Sequence, residues 1–92
     1  MIKSFCHKGL EVFFSTGSKA GIQPAHASKL KRQLGLLNEV SLPDYMDVPG
    51  WRFHALSGDL AGHWSVWVNA NWRLIFSFEG EDAILVDYQD CH

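Results

Sequence analysis

Ninety-two residues make one domain with one core, because a chain this short buries only roughly 60 to 65% of its unfolded surface. A hydrophobic content of 47%, with six Phe and four Trp, excludes a disordered chain, since that much apolar surface offsets the ordering entropy. A net charge of −2 gives no overall signature of a nucleic-acid binder. No run approaches the roughly 18 apolar residues of a membrane span and the first residues lack an apolar signal region, so a soluble, cytoplasmic protein is expected, without membrane contact. Cys6 and Cys91 have no close Cys or His spacing, which argues for reduced thiols rather than a disulfide framework or a zinc ribbon. Charge is uneven along the chain: Lys3, Lys8, Lys19, Lys29, Lys31 and Arg32 come early, and Glu79, Glu81, Asp82, Asp87 and Asp90 come late.

Residues 1–5 alternate Ile2 and Ser4 against Lys3 and Phe5 and read as a first strand. Residues 7–15 read as a helix, with Leu10, Phe13 and Phe14 in one apolar stripe and Thr16–Gly17 as a stop, glycine being free to take a left-handed cap. A second helix is signalled over residues 24–40: Pro24 suits the first position, and Ala27, Leu30, Leu34 and Leu37 share a face. Lys29, Lys31 and Arg32 project away from that stripe. They read as an ordinary solvated face or, more sharply, as a phosphate-contacting patch.

Residues 44–50 read as a loop with room for one helical turn. Residues 51–56 then read as a strand with Phe53 and Ala55 inward and Arg52, His54 and Leu56 outward. After a loop at residues 57–63, Trp64, Val66 and Val68 step along one face of a strand, while Ser65, Trp67 and Asn69 step along the other. Leu74, Phe76 and Phe78 repeat the apolar pattern after a turn. Opposed residues in an antiparallel pair point to the same side, so the two apolar sets must meet. Pairing Val68 with Trp72, Val66 with Leu74 and Trp64 with Phe76 does this. It leaves Asn69, Ala70 and Asn71 as a three-residue loop, with Asn71 at the left-handed position, and puts Trp67 across from Arg73 and Ser65 across from Ile75. A guanidinium over an indole is then expected on the outer face. Residues 79–82 form a charged turn and residues 83–88 a last strand with Ile84 and Val86 inward.

The order of strand, two helices and antiparallel meander gives an α+β fold: two N-terminal helices packed on one face of an antiparallel-rich sheet of four to five strands, with the other face at least partly open. Residues 1–92 form a single domain. No internal repeat and no phosphate-binding glycine motif is present.

With these elements placed, the chain resembles the HigB-type toxins of the RelE/ParE superfamily over almost its whole length. The resemblance is carried by the opening MIKSF, by FFSTGSKAGI, and by Pro49-Gly50-Trp51-Arg52 leading to His54. It continues through Leu56 with Gly58-Asp59, Gly62 with Trp64-Ser65, Val68-Asn69 with Asn71-Trp72-Arg73, and Asp87-Tyr88 with Asp90 and His92. The resemblance implies a RelE-like, microbial RNase-like fold. It also implies a ribosome-dependent endoribonuclease that cuts messenger RNA without metal or cofactor and is neutralised by a helix-turn-helix HigA-type antitoxin. DNA would be met only through that antitoxin complex, since this chain has no helix-turn-helix pattern of its own.

Attack by the RNA's own 2′-hydroxyl needs a base, a cation for the crowded phosphate and an acid for the leaving 5′-oxygen. The resemblance places these roles on His54, Arg73, Asp90 and His92. Arg73 takes the phosphate, because its fork fits two oxygens and stays charged. His54 and His92 move protons in an order that stays open, and Asp90 acts as base or orients a histidine. Trp67 is a candidate base-stacking platform. Two positions depart from the family pattern: Cys91 stands where many relatives have tyrosine in Asp-Tyr-His, and Ser57 where some have lysine.

Alternation carried on from Val86 sends Tyr88, Asp90 and His92 toward the core side, so a bulge or turn between Asp87 and Asp90 is expected to redirect the tail. The departures motivate a second function, a catalytically weakened relative that serves as antitoxin ligand and co-repressor. A metal hydrolase built from His54, His63, Asp90, Cys91 and His92 has no motif spacing behind it.

Overall fold

The computed structural model describes residues 1–90, so the expectations attached to Cys91 and His92 lie outside the described residues. Helix α1 (Lys8–Thr16) starts where the His7 ring Nδ1 accepts the Leu10 backbone N–H at 3.0 Å, and it stops at Gly17, whose φ of 82° provides the left-handed cap. Leu10 and Phe13 are buried as the stripe requires. Phe14 is exposed and packs on Phe5, with ring centroids 5.8 Å apart.

Pro24–His26 form a single 3-10 turn that runs into α2 (Ala27–Glu39). The predicted stripe of Ala27, Leu30, Leu34 and Leu37 is buried, and Gln33 is buried beside it. Truncating one of these leucines to alanine typically costs about 2–5 kcal/mol. Pro43–Met46 supply the helical turn anticipated in the next loop.

Strands β1 (His54–Ala55), β2 (His63–Trp67), β3 (Trp72–Glu79) and β4 (Asp82–Asp90) form an antiparallel sheet in the order β1-β2-β3-β4. The central hairpin has the register dictated by its apolar faces: Trp64 pairs with Phe76, Ser65 with Ile75, Val66 with Leu74 and Trp67 with Arg73. Val68 donates its N–H to the Trp72 carbonyl at 3.0 Å and closes the loop of residues 69–71. Asn71 does not take a positive φ. The Asn69 side-chain oxygen instead accepts the N–H groups of Asn71 (2.8 Å) and Trp72 (2.9 Å), so a side chain replaces the left-handed residue in making the turn.

Three expectations are corrected. The first segment is not a strand of the sheet: Ile2 and Phe5 make isolated parallel bridges to Ala83 and Val86, so the four-stranded count holds among the described residues. The strand predicted over residues 51–56 shrinks to two residues, because Arg52 adopts a φ of 51° after Gly50 at 89°; Ala55 is exposed. The third correction concerns β4. Its irregularity lies at Leu85, with φ 55°, where pairing jumps from Ser77–Ile84 to Ile75–Asp87. The extra residue shifts the side-chain parity, so Ala83 and Val86 are core while Ile84 pairs with Ser77 on the outer face. The Leu85 N–H, displaced from the ladder, is taken by the Ser4 hydroxyl at 2.8 Å.

The core lies between the two helices and one face of the sheet, with Leu10, Leu30, Leu34 and Leu37 against Val66, Leu74, Phe76 and Val86. No helix among the described residues is long and apolar enough to cross a membrane.

Candidate nucleic-acid site on the outer sheet face

Trp67 is the centre of the outer face. Its backbone N–H donates to the Trp51 carbonyl at 2.6 Å, and its own carbonyl accepts the buried Gln33 amide at 2.8 Å, so both the β1 segment and α2 fix its position. The Arg73 guanidinium lies 4.1 Å from the ring centroid and that of Arg52 lies 4.2 Å away. Arg73 approaches from β3 through the paired register, and Arg52 from the β1 side, where the ladder His54–Ser65 continued by two residues places position 52 opposite Trp67. Two cations thus lie against the indole, whose negative ring faces attract them. The indole expected to offer a stacking platform therefore carries a guanidinium from each neighbouring strand segment.

Arg73 is also anchored at one end. Its Nη1 donates to the carbonyls of Asn69 (3.2 Å), Ala70 (3.1 Å) and Trp72 (3.4 Å), while Nη2 and Nε have no hydrogen-bond partner among the described residues. The ion pairs of the described residues join Met1 to Asp82 and Lys8 to Glu11. Neither arginine is neutralised there.

His54 stands next along this face, paired with Ser65. Its Nδ1 is 3.2 Å from the Arg52 carbonyl and 3.5 Å from the Ser65 hydroxyl. A carbonyl only accepts, so Nδ1 carries the hydrogen, and in the neutral ring Nε2 is the acceptor. His54 and Arg73 therefore lie on the same face of the sheet, His54 exposed and Arg73 half-buried.

Asp90 does not. The β3–β4 ladder runs in register through Ile75–Asp87, Leu74–Tyr88, Arg73–Gln89 and Trp72–Asp90, with no turn between Asp87 and Asp90. The break in alternation lies ahead of Val86, at Leu85, so the alternation from Val86 to Asp90 is unbroken. Asp90 emerges on the side of Trp72 and Tyr88, opposite Arg73, and Gln89 is the residue that faces Arg73. Lys29 and Arg32 also stay apart: Lys29 Nζ lies 5.9 Å from the Trp51 ring on the helical side, and Arg32 is exposed on α2. A groove of about 590 Å³ between α1 and α2, lined by Phe13, Phe14, Lys19 and Lys31 among others, is likewise separate. Among the described residues no three metal-ligating side chains converge.

Sequence reasoning missed the support behind this face. Asn69 offers its oxygen to two backbone N–H groups, so its Nδ2 must face the buried His26, at 2.6 Å from Nε2. Nε2 is then the acceptor, and Nδ1–H donates to the Tyr88 hydroxyl at 2.5 Å. Tyr88 stacks on Trp72 with centroids 4.4 Å apart. Burial raises the Tyr88 pKa above the ordinary 10.0, a backbone hydrogen bond at Gln23 works against this, and the Asp90 charge adds to the rise. The signals in the sequence are a histidine just ahead of α2 and a glutamine beside the apolar stripe of that helix.

The chain matches the model of the HigB-like toxin family, described as a RelE-like toxin of the type II toxin-antitoxin system HigB, over residues 3–92. It is 35% identical over 92 residues to endoribonuclease HigB of Proteus vulgaris, covering all of both chains. Its fold is similar to that of YafQ from E. coli strain BL21(DE3), with a TM-score of 0.64 at 16% identity, covering 98% of this chain and 93% of YafQ. A copper-bound mutant toxin from Helicobacter pylori gives a TM-score of 0.55 at 18% identity, covering 98% and 94%. A family match across nearly the whole chain, together with the full-length relative, establishes that this chain belongs to the HigB-like family of RelE-like toxins of type II toxin-antitoxin systems.

Proposed function

We propose that this toxin is a ribosome-dependent endonuclease of messenger RNA, restrained by a HigA-type helix-turn-helix antitoxin. The observation that carries the reading is the placement, on one face of the sheet, of an Arg73 with no ion-pair partner among the described residues and an exposed His54 whose Nδ1 meets the Arg52 carbonyl. His54 Nε2 takes the 2′-hydroxyl proton, the 2′-oxygen bonds to phosphorus, and the bond to the 5′-oxygen breaks, giving a 2′,3′-cyclic phosphate and a 5′-hydroxyl once that oxygen is protonated. Arg73 holds two phosphate oxygens through Nη2 and Nε while negative charge builds on them. His92 is the proposed acid, and Asp90, which emerges on the side away from Arg73, acts on the phosphate only through that histidine. Lys29 and Arg32 belong to a separate basic surface for ribosomal or messenger RNA. The proposal invokes no metal or cofactor.

Primer extension on translated message tests it with wild type, His54→Ala and Arg73→Ala. Wild type is expected to cut within the message, and each variant to lose about 10²-fold or more. Equal cleavage by all three overturns the roles. The position of Asp90 on the side of Trp72 favours one second reading, a catalytically weakened relative that acts as antitoxin ligand and co-repressor. Growth arrest on induction without antitoxin counts against that reading.

A further inference from the structure

We propose that Arg52 is a second phosphate-binding residue of the outer face, gripping the backbone phosphate next to the one held by Arg73. This rests on reading the face as an RNA site. Three observations converge on it. Arg52 is an exposed side chain whose guanidinium is not left to wander: it lies 4.2 Å from the centre of the Trp67 ring, on the β1 side, while Arg73 lies 4.1 Å away from the β3 side. The two cations are therefore at most about 8 Å apart, comparable with the separation of successive phosphates on one strand. Neither has an ion-pair partner among the described residues.

The backbone is also bent to achieve this. Arg52 has a φ of 51°, a region that non-glycine residues enter at a cost, and the bend comes between the buried Trp51, whose carbonyl holds the Trp67 N–H, and His54. Because the Arg52 carbonyl accepts from His54 Nδ1 at 3.2 Å, the same bend sets the His54 tautomer. Arg73 has one end tied to three carbonyls, whereas no hydrogen bond among the described residues engages the Arg52 guanidinium, so its five donors remain for ligand oxygens. Trp67 is then a spacer between two phosphate grips. A guanidinium over an indole keeps its edge exposed, so holding the ring and binding phosphate are compatible.

The test is binding of a fluorescein-labelled single-stranded 2′-O-methyl RNA, which lacks the attacking hydroxyl, measured by anisotropy across a potassium chloride series. Arg52→Asn suits the backbone, since asparagine tolerates the left-handed region, and Arg52→Lys keeps the charge without the fork. Near-UV circular dichroism checks that the tryptophans stay packed. Wild-type binding is expected to weaken with salt. Arg52→Asn should lower the slope of log affinity against log salt by about 0.7 and cut low-salt affinity roughly tenfold, while Arg52→Lys restores the slope. A wild-type slope in a folded Arg52→Asn protein overturns the proposal, as does wild-type binding without salt dependence. Message cleavage by wild type, measured separately, keeps the two readings distinct. A lowered slope without cleavage removes the nuclease and leaves Arg52 a phosphate contact; cleavage with an unchanged slope does the reverse.

Discussion

Arg73 owes its orientation to a residue that touches no part of the outer face with its side chain. Asn69 turns the hairpin with its side-chain oxygen, and the carbonyls of residues 69, 70 and 72 so arranged fix Arg73 Nη1. Behind it the Asn69 amide nitrogen obliges His26 to present an acceptor at Nε2. Nuclear magnetic resonance of the histidine ring nitrogens should therefore find His26 with its hydrogen on Nδ1. Asn69→Asp preserves the acceptor for the turn, and with it the carbonyls that hold Arg73, but removes the donor, so the His26 hydrogen should move to Nε2 while cleavage stays near wild type. An unchanged ring spectrum in Asn69→Asp would show that the amide does not set the tautomer. Trp67 is governed by its neighbours in the same way: the residues flanking it on both sides, Arg52 and Arg73, bring their guanidinium groups against its ring.

Among the elements, α1 is held by a contact that only glycine permits. A Cβ on Gly9 would collide with the Gly21 carbonyl, and one on Gly21 would collide with the Gly9 Cα, backbone against backbone. Gly9→Ala should destabilise by about 1–3 kcal/mol, read as a lower urea midpoint, and an unaltered midpoint would mean that the helix and loop separate without cost. Gly35→Ala, where a Cβ meets nothing within 4 Å, is the control and should be neutral or slightly stabilising. At the other end of the chain, the bulge at Leu85 decides the face of every later described residue of β4. It sends Val86 and Tyr88 inward and leaves Asp87 and Gln89 on the side of Arg73.

For the molecule as a whole, Tyr88 makes stability depend on alkaline pH. Burial raises its pKa, chiefly by penalising the phenolate, so the native state keeps the proton that the unfolded state gives up near 10.0. The contribution is present below that value and is lost as pH rises through the higher native pKa. The urea midpoint should therefore drop between about pH 9 and pH 11, and Tyr88→Phe, which cannot ionise, should flatten that drop. An equally steep decline in Tyr88→Phe would assign the effect to other groups.

Local periodicity is enough to specify the two helices, their buried stripes and the hairpin register: Ala27, Leu30, Leu34 and Leu37 must share a face, and Trp64, Val66 and Val68 must meet Phe76, Leu74 and Trp72. That register alone puts Arg73 over Trp67 and makes the outer face legible from residue order. Long-range contacts settle the features that periodicity cannot express. The bends at Arg52 and Leu85 put non-glycine residues at positive φ, which no alternation rule anticipates. The Ser4 hydroxyl that accepts the Leu85 N–H comes from 81 residues away, and His26 reaches Asn69 across 43. A one-residue bulge reverses the sense of alternation beyond it, so the side on which Asp90 emerges depends on a hydrogen-bond partner at the far end of the chain.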